Sequence, residues 1–110
     1  MLAGRLDRRI TIERFSATQD PGSGERIEVW GPVATVWAEK SYRRANESLL
    51  AGEVSAIRVL RFAIRWSSAV ADVNPKDRVA FEGSKFDILE VNEIGRREGV
   101  EIFAQARADQ

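Results

Sequence analysis

Acidic side chains between residues 72 and 93 are the first candidates for chemistry in this 110-residue chain. A pair of carboxylates could serve as a general acid and base. The candidates are Asp72, Asp77, Glu82, Asp87, Glu90 and Glu93. Most of them fall in turns or at polar strand positions, and the chain has neither His nor Cys to work beside them. We therefore expect no catalytic residue, no cofactor and no metal site, so the protein should not be an enzyme.

The glycines of the first polar segment could in principle cradle a phosphate. Gly22-Ser23-Gly24 is not followed by a helical pattern, however, and no Gly-Lys-Ser/Thr sequence occurs in the chain. We interpret this segment as a loop tip.

Arginine clusters are a third candidate, because arginine is used far more often than lysine and favours fixed, bidentate pairing at interfaces. The clusters are Arg5, Arg8 and Arg9; Arg43 and Arg44; Arg58, Arg61 and Arg65; and Arg96 and Arg97. Each could be a solvated surface paired with acidic residues. Each could equally contact a neighbouring subunit or DNA phosphates.

Composition limits the remaining classes. The 17 basic and 17 acidic residues cancel, so attraction to nucleic acid through bulk charge is not expected. The length fits one domain, residues 1–110. Neither a signal peptide nor an apolar run long enough to span a membrane is visible. We expect a soluble protein.

The elements that must position these residues have the period of strands. Ile10 and Ile12 alternate with polar neighbours, and Leu60, Phe62, Ile64 and Trp66 share one face of the segment 54–66. Further strands are expected within 27–40, at 79–81, over 86–91 and over 100–106. About six strands with turns between them predict an all-β fold, a small antiparallel barrel or sandwich.

Several segments should interrupt this pattern. Residues 16–26 are expected to form a polar loop, and a bulge or edge position is expected at Gly31-Pro32 because proline cannot donate to a ladder. Residues 41–53 suggest a short helix or an irregular loop. Over 86–91 apolar residues change face, which predicts either burial on both faces or a bulge.

The tryptophans at positions 30, 37 and 66 are expected to lie in the core, since each would supply a large buried area. Trp30 is also a candidate interface anchor, because it lies beside Gly31-Pro32.

The order of these pieces resembles the phage head–tail joining family, also called head-closure or stopper proteins, including the versions found in gene transfer agents. The resemblance covers nearly the whole chain. It rests on Gly4–Ile12, Asp20, Gly24, Trp30, Val36–Glu39, Ile64–Trp66, Arg78–Val79 and Phe86–Val91.

The resemblance implies a β-barrel subunit of a homo-oligomeric ring, six- or twelve-fold, in the neck of a virion or phage-like particle. The ring would lie between the portal or adaptor ring and the tail terminator or tail. It would retain packaged double-stranded DNA and dock the tail, with assembly in the bacterial cytoplasm and no membrane or small-molecule substrate.

Three groups of contact residues are expected, and the third follows from the resemblance, which places roughly residues 41–54 in the channel. An N-terminal arm, residues 1–8, would lead into the barrel, and Arg5, Asp7, Arg8 and Arg9 would touch a neighbouring subunit or the adaptor. Asp20, Pro21, Gly22 and Gly24 would touch the tail or a neighbour. Tyr42, Arg43, Arg44 and Asn46 would face the DNA channel. The arm and residues 16–26 are expected to order only on assembly, so the isolated protein should be a monomer.

Other functions remain open at this stage. A single-stranded nucleic-acid-binding barrel of the OB kind would need stacking aromatics on an open basic face. The pattern of residues 61–66 instead places Arg61 and Arg65 opposite Phe62 and Trp66. A tail terminator or another ring component of the neck is a nearer alternative.

Overall fold

Antiparallel β-strands build the protein, and the computed structural model describes residues 5–42 and 59–106. The strands are β1 (Arg8–Gln19), β2 (Arg26–Tyr42), β3 (Val59–Arg65), β4 (Arg78–Phe81), β5 (Ser84–Ile94) and β6 (Gly99–Ala106). The prediction of an all-β fold with about six strands is confirmed. Within the described ranges, no helix has the length and apolarity needed to cross a membrane.

The sheet closes on itself in the order β1-β2-β3-β6-β5-β4. Closure is made by β4, which pairs with β1 over Thr11–Glu13. Every neighbouring pair is antiparallel, so successive connections alternate between two ends. The β1–β2 turn, the β3–β4 connection and the β5–β6 turn share one end, the ribbon end. The start of β1, the end of β2 and the β4–β5 turn share the other, the arm end.

The barrel interior is filled by the inward-facing residues of the strands. Ile10, Ile12, Phe62, Ile64 and Ile102 are at most 1% exposed. These positions follow the two-residue period of a pleated strand, which is why the alternation in the sequence identified them.

The β3–β4 connection closes the ribbon end of this core. Its two valines, Val70 and Val73, are buried in the same cluster as the strand residues. The connection is therefore part of the core and not a loose crossover.

Two bulges interrupt the ladders where the sequence indicated irregularity. Ile12 pairs with Ala34 while Glu13 pairs with Pro32, so Val33 is an extra residue in β2. Ile88 pairs with Ala104 while Glu90 pairs with Phe103, which makes Leu89 the extra residue in β5. The predicted bulge beside Pro32 is confirmed, and the change of face over 86–91 is explained by the second bulge.

The β1–β2 hairpin is much longer than the sequence indicated. Paired residues run from Arg14 and Gly31 out to Gln19 and Arg26, which leaves a turn of residues 20–25. The predicted loop over 16–26 is therefore wrong. We call residues 14–31 the ribbon. Beyond Glu13 neither of its strands pairs with β4 or β3, so it projects from the barrel, and residues 16–19 and 26–29 are exposed on both faces.

Two further boundaries differ from the prediction. Ser41 and Tyr42 continue β2, where they pair with Arg61 and Leu60; the rest of the proposed helix or loop over 41–53 lies outside the described residues. At the other terminus, β1 begins at Arg8. Arg8 and Arg9 therefore belong to the barrel and not to a separate arm, because they pair with Ala38 and Trp37.

Candidate functional site

The turn at the tip of the ribbon is held by its own hydrogen bonds. The Asp20 carboxylate accepts hydrogen bonds from the Gly22 N–H at 2.9 Å and the Ser23 hydroxyl at 3.1 Å. The Gly24 N–H donates to the Asp20 carbonyl at 2.8 Å, with Gly24 at φ +74°. The Gly22 N–H, followed by the Ser23 hydroxyl, lowers the pKa of Asp20. All of these hydrogen bonds lie within one chain.

One face of the ribbon, which we call the outer face, carries an aromatic pair. Phe15 and Trp30 are cross-strand partners with ring centroids 5.5 Å apart in an edge-to-face arrangement. The Arg78 guanidinium lies 4.1 Å from the Trp30 ring centroid. These contacts join the base of the ribbon to β4 through a cation–π interaction.

The carboxylate of Glu13, two residues before Phe15 on the same strand, connects three strands. Glu13 accepts from Arg78 Nε at 2.6 Å and from Lys85 Nζ at 3.2 Å, linking β1, β4 and β5. Burial by itself raises the pKa of Glu13. The hydrogen bonds and charges of Arg78 and Lys85 together outweigh that effect, so the net pKa is lowered.

The opposite face, which we call the inner side, is attached to the barrel at the base of the ribbon by Arg14. Its guanidinium contacts the carboxylates of Asp77 and Asp72 in the β3–β4 connection, at 3.0 and 3.1 Å. The hydrogen bonds to Asp77 and then to Asp72 raise the pKa of Arg14, and Arg14 lowers the pKa of Asp72. Contacts on both faces therefore fix the ribbon base to the barrel.

Further along the same inner side, the ribbon presents two apolar side chains to solvent. Ile27 and Val29 are 43% and 47% exposed. They lie opposite Thr18 and Ser16 on β1. An exposed apolar pair on a projecting ribbon is a candidate interaction surface.

The predicted arm contacts lie at the opposite end of the fold. Asp7 and Arg8 form an exposed pair at 3.8 Å, and the Arg9 guanidinium lies 4.9 Å from the Trp37 ring centroid. Arg5 is also exposed. The structure thus brings Arg9 to an aromatic partner and leaves Arg5, Asp7 and Arg8 at the surface, away from Asp20, Pro21, Gly22 and Gly24.

The predicted channel segment begins at the arm end as well. Tyr42 is the last residue of β2 and is 57% exposed. Lys40 Nζ lies 5.2 Å from the centroid of its ring. Arg43, Arg44 and Asn46 lie outside the described residues.

The expectation that all three tryptophans lie in the core is wrong. Trp37 is 52% exposed, Trp30 stacks with Arg78 on the ribbon, and Trp66 packs partly on the core with Arg97 5.1 Å from its ring centroid. The alternation could have revealed Trp37, because Val36 and Ala38 face inward and their common neighbour must face outward.

The basic cluster on β3 is partly neutralised. The Arg61 side chain forms ion pairs with Glu101 on β6 and with Glu39 on β2, the latter at 3.5 Å. Its strand neighbours Phe62 and Ile64 are buried. An open basic face with stacking aromatics, which an OB-type nucleic-acid site needs, is absent from β3.

No group of three or more His, Cys, Asp or Glu side chains among residues 5–42 and 59–106 could hold a metal ion. The clusters described above are ion pairs and cation–π contacts that join strands.

The sequence matches the phage head completion protein family over residues 1–107. This chain belongs to that family. It is therefore a structural protein of a phage or phage-like head and not an enzyme. The fold agrees: the solution structure of protein SF1141 from Shigella flexneri 2a superposes with a TM-score of 0.74 at 28% identity, covering 100% of both chains.

A second solved structure has the same fold. A chain from the virion of a native gene transfer agent particle gives a TM-score of 0.60 at 24% identity, covering 92% of this chain and 94% of that one. No curated protein matches the sequence significantly.

Proposed function

We propose that this head completion protein is a stopper: a subunit of a closed ring, six- or twelve-fold, between the portal or adaptor ring and the tail terminator or tail. The ring retains packaged double-stranded DNA and offers the tail a docking surface. Its place is the neck of the particle, and it is assembled in the bacterial cytoplasm.

One observation carries this proposal. The barrel holds two different surfaces at opposite ends: the projecting ribbon at one, and residues 5–9 with Tyr42 at the other. A connector between two unlike neighbours needs such polarity, since each end must bind a different ring. In this arrangement Arg5, Asp7, Arg8 and Arg9 face the adaptor or a neighbouring subunit, and the Asp20–Gly24 turn faces the tail or a neighbour.

The chemistry of the surface supports the same role. Subunits of a closed ring meet through two different faces. A surface that mixes arginines with carboxylates allows opposite charges to pair across each joint. Retention of DNA requires bulk and charge in the channel and no reaction. The segment that begins at Tyr42 and includes Arg43, Arg44 and Asn46 is proposed to face that channel.

The test is deletion of the gene in the strain that produces the particles. Purified particles are scored for packaged DNA by nuclease protection and for tails by electron microscopy. We expect heads that lose DNA and lack tails, restored by a plasmid copy. Normal filled and tailed particles would refute the stopper. Heads that keep their DNA but carry aberrant tails would point to a tail terminator instead.

A further inference from the structure

The ribbon and the barrel carry two apolar surfaces that no other described part of the chain covers. The first is the exposed pair Ile27 and Val29 on the inner side of the ribbon. The second is a groove of about 500 Å³ beside the lower part of β2. Its lining includes Arg9, Thr35, Val36, Trp37, Arg65 and Trp66.

The groove is suited to branched apolar side chains. Its walls include the exposed face of Trp37 and the half-buried Trp66, large rigid rings of the kind that anchor protein interfaces. It opens where β2 leaves β3, because the ladder between these strands covers only Ala38–Tyr42 on β2. Thr35, Val36 and Trp37 therefore lie on a strand edge without a β3 partner.

The two surfaces have opposite charge. Two of the groove's lining residues, Arg9 and Arg65, are basic, and none of the described lining residues is acidic. On the ribbon, the acidic Glu25 stands two residues before Ile27, next to the exposed apolar pair, and its side chain is exposed. Such complementarity orients an encounter and disfavours the reverse pairing of like surfaces.

The ribbon cannot reach the groove of its own chain. Ile27 and Thr35 lie on the same extended strand, eight residues apart. At the rise of a β-strand this separation is about 25 Å. A ribbon in this groove would therefore have to come from another molecule. A contact between two different surfaces of identical subunits is heterologous and can close into a ring.

We propose that Ile27 and Val29 of one subunit dock in the groove between Trp37 and Trp66 of the next copy of this chain, and that this is the contact that closes the ring. The inference rests on the ring of the proposed function and specifies the contact between adjacent subunits, which we call the joint. Glu25, two residues before Ile27, approaches Arg9 and Arg65 of the neighbour at the rim.

The absence of native cysteine allows a direct test by cross-linking. Particles carrying the double variant I27C/T35C are treated with a bismaleimide much shorter than the intrachain separation, then dissolved in detergent. A ladder of covalent multimers up to the ring size is expected. The single variants and the control I27C/L89C, whose second cysteine would replace an exposed residue on β5 outside the groove, should remain monomers.

The outcomes separate the two proposals. If filled, tailed I27C/T35C particles give no ladder, the joint is wrong and the stopper stands. An equal ladder from I27C/L89C would also overturn the joint. If particles need no copy of the protein at all, the stopper itself fails.

Charge reversal provides a second measurement in case the cysteine variant does not assemble. The variant E25R and the double variant R9E/R65E should each reduce tailed particles by at least tenfold, with circular dichroism of the purified variants unchanged. Combining E25R with R9E/R65E should restore most of the yield, because opposite charges meet again. Defective variants that show no rescue in combination would contradict the joint.

Discussion

Arg14 donates hydrogen bonds from Nε and Nη2 to the two carboxylate oxygens of Asp77, each at 3.0 Å. This bidentate pair joins the base of the ribbon to the β3–β4 connection. Only 1% of the Asp77 side chain is exposed, compared with 39% of Arg14. Asp77 also accepts the Asn74 N–H at 3.1 Å, so its carboxylate organises both the ribbon and the connection.

The first prediction concerns this carboxylate. Asp77→Asn removes the charge and half of the bidentate acceptor while the site stays buried, so the free energy of unfolding should fall by about 2 kcal/mol. Chemical denaturation followed by tryptophan fluorescence measures the change. Asp72→Asn is the matched control: the Asp72 side chain is 70% exposed, and its substitution should cost much less. Equal losses would contradict the central place of Asp77.

The second prediction is a pH dependence from Glu13. Its pKa in the folded state lies below the ordinary value of 4.5. The ionised form is therefore favoured by folding, and its contribution is complete above the ordinary pKa. That contribution is lost as the pH falls through the lowered folded value.

Denaturation midpoints measured from pH 7 down to pH 3 should show this loss. Glu13→Gln should lower stability at pH 7 and flatten the acid side of the profile, because one titrating group has been removed. If E13Q and the wild type lose stability in parallel below pH 4.5, another carboxylate is responsible.

The third prediction concerns the β4–β5 turn. Phe81 pairs with Ser84, which leaves a two-residue turn in which Glu82 and Gly83 have φ of +49° and +82°. Positive φ at both positions favours Asn-Gly. Glu82→Asn should therefore stabilise the fold by about 0.5 kcal/mol.

Substitution of its neighbour should have the opposite sign. A Cβ at Gly83 would meet no atom within 4 Å, so Gly83→Ala should cost about 1 kcal/mol through backbone conformation alone. Thermal unfolding of both variants distinguishes the effects. A neutral G83A would mean that the turn relaxes to another geometry.

The fourth prediction separates the ribbon from the barrel. Replacing residues 18–27 by Asn-Gly should leave a folded barrel with an unchanged β-type circular-dichroism spectrum, since the pairs that close the barrel involve residues 11–13 and 38–42. The variant should nevertheless fail to restore filled, tailed particles in the deletion strain. Full complementation by the shortened chain would show that the ribbon is dispensable.

Much of the barrel could be predicted from sequence, because residues such as Ile10, Ile12, Phe62 and Ile64 alternate with polar neighbours and one face of each strand is buried. The ribbon was predicted only in part. Its second strand falls within the expected extended segment 27–40, whereas residues 16–19 are exposed and mostly polar and resembled a loop.

The contacts of the candidate site were harder to predict from the sequence, for two further reasons. The pair of Arg14 with Asp77 joins residues 63 positions apart, and spacing in the sequence carries no signal for such a contact. Tryptophan size suggested burial, whereas Trp30 and Trp37 stack with arginines near the surface. The outward orientation of Trp37 could be inferred from its neighbours. The groove beside it could not be predicted, because it forms only when the barrel is closed.

The bulge at Val33 affects the direction of the ribbon but not the side chains that the ribbon displays on each face. A bulge bends and twists its strand. Removing Val33 would leave Ile12 opposite Ala34 and Glu13 opposite Pro32 in an uninterrupted ladder, with each side chain of the ribbon on the face that it occupies now. The deletion would thus change where the ribbon points while preserving everything that it displays. A single residue therefore sets the direction in which the ribbon leaves the barrel, independently of the side chains that the ribbon displays.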